Sequence, residues 1–71
     1  MGSYSLSVPL LRDKIRHLRE ELGLTRQEAA DRAKISVHMW RAIEQGWRDC
    51  SLETARRIAL VLGIAIDELI G

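Results

Sequence analysis

Apolar residues recur along this chain at helical intervals, and no stretch alternates in the manner of a strand. Leu11, Ile15, Leu18 and Leu22 follow one another at steps of four, three and four, which places them on one stripe of a first helix. Ser7-Val8-Pro9 forms its entrance, since a proline in the first turn forfeits only an N–H that would go unpaired anyway. Gly23 follows in the position that favours a left-handed stop.

Thr25-Arg26-Gln27-Glu28 then has the form of a capping box, with the threonine hydroxyl accepting from the Glu28 amide and the Glu28 carboxylate reaching back. It opens a short second helix whose inward residues, Ala29, Ala30 and Ala33, are small enough for a neighbouring helix to approach closely. Ser36 is the next N-cap, only Lys34 and Ile35 beyond that helix, and Trp40 and Ile43 form the inner edge of a third helix ending at Gly46. Ser51 caps a fourth, with Glu53 in its dipole-favoured first turn, Leu52, Ala55, Ile58, Ala59 and Leu62 facing inward, and Gly63 as its stop. Asp67 to Ile70 suffices for one last short helix. The expected fold is all-α: a compact five-helix bundle spanning 9–70, preceded by a flexible tail over 1–8.

Composition narrows the classes. Seventy-one residues make at most one domain. A chain this short buries only about 60% of the surface its unfolded form exposes, so close helix packing or a partner chain must support its core. Cys50 is the only cysteine, which excludes an internal disulfide and suits a reducing compartment; it reads as an ordinary loop cysteine rather than a redox switch. No apolar run reaches the length of about 20 residues that a membrane span requires, and the first residues have neither the basic start nor the apolar stretch of a signal peptide. A cytoplasmic location is expected. Net charge is only +1, with residues 1–19 carrying Arg12, Lys14, Arg16 and Arg19 against Asp13, and residues 58–71 carrying only Asp67 and Glu68. No nucleophile–base pair, phosphate-cradling loop or metal-ligand spacing occurs, the pair His38 and Cys50 included, so neither an enzyme nor a cofactor or small-molecule ligand is expected.

Two short helices joined by about three residues, the first rich in alanine and the second polar on its outer side, form a helix-turn-helix pattern. Leu24-Thr25-Arg26-Gln27-Glu28-Ala29-Ala30-Asp31-Arg32-Ala33 is similar to the motif L-T-Q-E-E-L-A-E-K-A of the Cro/phage-repressor (XRE-like) family. Ile35-Ser36 with Ile43-Glu44-Gln45-Gly46 resembles that family's V-S … I-E-R-G segment. Ser51-Leu52-Glu53-Thr54, Arg57-Ile58-Ala59, Leu62-Gly63 and Asp67-Glu68-Leu69 resemble its later helices. The resemblance spans residues 9–70 and implies a lambda-repressor-like, duplex-DNA-binding transcriptional regulator, a repressor acting as a homodimer.

The resemblance implies roles position by position. The helix at 36–45 enters the major groove, with Ser36, Val37, His38, Arg41 and Ala42 against base edges. Arg41 has the planar fork that matches the O6/N7 pair of guanine. Val37 offers only apolar contact. Thr25 and Arg26 at the start of the second helix, with Gln45, Trp47 and Arg48, are the expected phosphate contacts; for Trp47, packing back onto the domain is the other reading. An ion pair between Arg19 and Glu44 fixes the first helix against the third. Lys34 stands where the family commonly has glycine, and a left-handed backbone there costs roughly 1–2 kcal/mol.

Leu60, Val61, Ile64 and Ile70 exceed what one helical face buries, and an isologous dimer contact is the simplest cover for them. A larger core is the alternative. The weakly polar Val37-His38-Met39 and the small net charge leave a second functional reading open, a protein-interaction module on a helix-turn-helix scaffold with little DNA readout.

Overall fold

The computed structural model describes residues 7–8, 10–46 and 50–70. Four α-helices, α1 (Arg12–Glu21), α2 (Arg26–Ala33), α3 (Val37–Glu44) and α4 (Leu52–Leu62), are followed by a single 3-10 turn at Ile66–Glu68. That turn replaces the expected fifth α-helix. Leu69 plugs into the core immediately after it and Ile70 pairs with Leu10 in an isolated antiparallel bridge, so the chain straightens before a second helical turn can form.

A small antiparallel pairing, β1 (Ser7–Val8) with β2 (Cys50–Ser51), was not expected. Ser7 stands opposite Ser51 and Val8 opposite Cys50, so the end of the supposed tail over 1–8 belongs to the fold. Ser7–Val8 thus finds its backbone partner far along the chain.

The predicted caps form as local chemistry dictates. Thr25 Oγ1 accepts from the Glu28 amide at 3.1 Å while Glu28 Oε1 accepts from the Thr25 amide at 2.9 Å. Ser36 Oγ accepts from the Met39 amide and Ser51 Oγ from the Thr54 amide. Helix α1 lacks such a cap, its N-cap being Leu11.

Trp40, Ile15, Ile58 and Leu69 are the largest fully buried side chains, surrounded by Ala29, Ala30, Ala33, Ala55 and Ala59. The small alanines of α2 and α4 let these two helices pack closely against each other. Burial of each large aliphatic here contributes about 1.5–3 kcal/mol. The stripe predicted for α1 is only half realised. Ile15 is buried and Leu18 half-buried, but Leu11 and Leu22 are exposed. Both lie just outside the regular helix, where the 3.6-residue period no longer holds, and the inward position one turn after Ile15 is taken by Arg19.

Candidate nucleic-acid interface

The turn between α2 and α3 is made by Lys34, which closes α2 in a left-handed conformation with φ 60° and ψ 41°. Its amide donates to the Ala30 and Asp31 carbonyls, and the Ile35 amide also returns to Ala30. Two residues later Ser36 caps α3, so the two helices meet at an angle set by one strained residue and one hydroxyl.

A single carboxylate mounts α3 from within. Glu44 is 1% exposed at its side chain and accepts from three residues. Arg19 Nε donates to Oε2 at 2.6 Å and Arg19 Nη2 to Oε1 at 3.2 Å. The Trp40 indole N–H donates to Oε2 from one helical turn earlier. Arg26 Nε donates to Oε1 at 3.1 Å. Arg19 also donates to the Leu24 carbonyl at 2.8 Å. Burial pushes the Glu44 pKa up, but the hydrogen bonds from Arg19 and Trp40 and the charge of Arg19 outweigh it, leaving the carboxyl below its ordinary value. Three helices therefore converge on one buried anion.

The opposite side of α3 faces solvent. His38, Arg41 and Gln45 are exposed and, with the half-buried Ala42, line one shallow open depression. Ser36 is exposed at the start of the helix. Val37 differs from its neighbours: it is half-buried and packs against the core, which leaves less of it to meet a base. Thr25 is exposed at the start of α2 and Arg26 is half-buried beside it. Trp47 and Arg48 lie outside the described residues.

A helix-turn-helix domain family matches residues 10–69. The chain belongs to the Cro/C1-type helix-turn-helix family of DNA-binding domains. An HTH-type transcriptional regulator of Deinococcus deserti, DdrOP3, is 37% identical over 58 residues, covering 82% of this chain and 45% of that protein. The chain thus spans less than half the length of that relative. An uncharacterized HTH-type transcriptional regulator of Methanothermobacter thermautotrophicus is 43% identical over 53 residues, 75% of this chain and 77% of that one. The crystal structure of the clp gene regulator ClgR from C. glutamicum has the same fold, with a TM-score of 0.73 at 24% identity over 82% of this chain and 75% of that chain.

Within this helix-turn-helix domain, three features of the interface have no counterpart in the sequence reading. Arg26 reaches Glu44, a contact across 18 positions. The Trp40 indole shares that carboxylate, and its spacing of four from Glu44 was the available signal. Arg12 donates from Nη1 to the Gln45 carbonyl at 3.0 Å, lying over Gly46 where any Cβ would collide with its guanidinium. This contact places a positive charge at the C-terminal end of α3, where the helix dipole favours it.

On α4 and the segment after it, Leu60 is 80% exposed, while Val61, Ile64 and Ile70 are half-buried. Leu60 borders an apolar depression lined by Arg56, Ala59, Ile64 and Ile66. Cys50 is buried in β2. No helix among the described residues is long and apolar enough to cross a membrane, and none of their His, Cys, Asp and Glu side chains group as metal ligands.

Proposed function

We propose that this domain is a transcriptional regulator that binds duplex DNA sequence-specifically as a homodimer, with α3 in the major groove and repression by operator occupancy as its output. The observation that carries this reading is the two-sidedness of α3. Trp40, Ile43 and Glu44 anchor it from within, while Ser36, His38, Arg41, Ala42 and Gln45 present hydroxyl, imidazole, guanidinium, methyl and amide groups outward. Ser36, Val37, His38, Arg41 and Ala42 then meet base edges, Val37 by its exposed remainder only. Thr25, Arg26, Gln45, Trp47 and Arg48 contact phosphates and set register.

The homodimer reading draws on Leu60, Val61, Ile64 and Ile70. A large exposed leucine beside an apolar depression is self-complementary under a two-fold axis, each copy's Leu60 entering the other's hollow. Two α3 helices about 34 Å apart then address successive major grooves on one face of the duplex. Occupancy alone excludes competing proteins from the operator, so repression requires no further surface.

Selection of bound fragments from a randomised duplex pool, followed by salt titration of the winners against the unselected pool, tests the proposal. The expected result is a defined half-site repeated in two-fold symmetry, with affinity falling steeply as salt rises. The half-burial of Val37 and the net charge of +1 favour one competing reading, a protein-interaction module. Negligible, salt-independent duplex binding would favour that reading instead.

A further inference from the structure

We infer that Glu44 is a positioning residue that couples Arg26 on α2 to the placement of α3, so that phosphate engagement and groove reading are one linked event. The inference rests on the DNA-binding reading above. Its basis is the unequal use of two guanidinium groups by one carboxylate.

Arg19 is consumed by the interior. Its Nε and Nη2 donate to Glu44, its Nη1 donates to the Leu24 carbonyl, and its side chain is 8% exposed. Arg26 is held by Nε alone, and its side chain is 39% exposed. Among the described residues neither Nη group of Arg26 has a partner, and the fork's orientation is fixed from behind by the buried carboxylate. Glu44 accepts from both guanidiniums, but Arg19 also lies 3.9 Å from the Glu20 carboxylate, so the positive charge left facing outward is that of the Arg26 fork at the first residue of α2. A backbone phosphate between the free Nη groups would balance it. Such a fork is already oriented before DNA arrives, so binding does not have to order a flexible side chain. The carboxylate that orients it also accepts from Trp40 and terminates α3, so any displacement of Arg26 is felt in the recognition helix.

The sign of one substitution separates this coupling from bulk electrostatics. Glu44→Gln removes a negative charge near a polyanion, and charge alone predicts tighter DNA binding. Coupling predicts weaker binding, on the order of fivefold, because Arg26 loses its orientation. In a double-mutant cycle, Glu44→Gln should cost little once Arg26→Gln is already present. Arg26→Lys keeps the charge but cannot hold Glu44 through Nε while offering a fork, and should restore only part of the affinity.

The assigned Trp40 indole resonance supplies a readout that does not depend on a Glu44 variant folding. Titration of wild type with a short random-sequence duplex at low salt should shift that resonance, and the shift should vanish in Arg26→Gln while residual binding persists. A wild type that binds no duplex would refute the DNA-binding reading, and this inference with it. A wild type that binds with the Trp40 resonance unmoved, additive effects in the cycle, or full rescue by Arg26→Lys would overturn the coupling alone.

Discussion

The Trp40 indole N–H donates to Glu44 Oε2 from one turn earlier in α3, on the same oxygen that accepts Arg19 Nε. The largest aromatic of the core and the buried ion pair are thus one polar unit within an apolar interior. Its donors and acceptors are satisfied together, and among the described residues no buried side-chain polar atom lacks a partner.

Glu44→Ala leaves a guanidinium charge and an indole N–H unpaired inside the domain, and should cost about 3–5 kcal/mol. That is a large share of the stability of a domain this small. Urea denaturation at neutral pH measures the loss.

Acid should expose the same carboxylate by another route. The folded-state pKa of Glu44 lies below its unfolded value, so its contribution is complete above the ordinary carboxylate range of about 4.3 and is lost as pH falls through the lower folded value. Wild-type stability should therefore decline in acid, and Glu44→Gln, less stable at neutral pH, should decline less. Identical acid slopes in urea titrations of the two proteins would contradict this assignment.

Lys34→Gly should raise stability. The left-handed backbone at Lys34 carries a penalty that glycine avoids. Part of the relief is offset by the greater freedom of glycine in the unfolded chain, leaving about 1 kcal/mol. A melting temperature higher by about 4–8 °C is the expected signature. No rise at all would mean that the lysine side chain compensates its own backbone.

Arg41→Ala should relax the preference at one base position, at a cost of about 1–3 kcal/mol against the best site and little against unrelated duplex. Competition binding with single-position operator variants resolves the two. An equal loss on every sequence would make Arg41 a phosphate contact.

Leu60→Glu should convert a dimer into monomers, because it places a charge where an apolar side chain would enter the partner's hollow. Sedimentation of wild type and variant decides the point, and a monomeric wild type at operator-saturating concentration would remove the two-fold arrangement.

Much of the helical scaffold was legible because its determinants are local. Thr25, Ser36 and Ser51 declare helix starts by hydroxyls that reach only three residues ahead, and Gly63 declares a stop by its own backbone freedom. The inward alanines of α2 follow from helical periodicity alone. Features that join distant residues were harder to read. Two-residue strands are too short to alternate, so Ser7–Val8 carried no mark of its pairing with Cys50–Ser51. Leu11 and Leu22 look like stripe positions until the helix ends are known. Arg26 seemed destined only for solvent or phosphate, since nothing local to α2 announces a carboxylate arriving from the end of α3.

The bridge between Leu10 and Ile70, with the Leu11 amide donating to the Leu69 carbonyl at 2.8 Å, makes the domain a nearly closed ring of chain. Closing so long a loop costs about 3–4 kcal/mol of chain entropy beyond a constant, whereas the caps and helix pairs form from near neighbours. A peptide link across that seam that keeps the Ser7–Val8 pairing would remove the closure cost for as long as the ring stays closed, and opening it at the solvent-exposed Gly23 would move the break to the turn between α1 and α2.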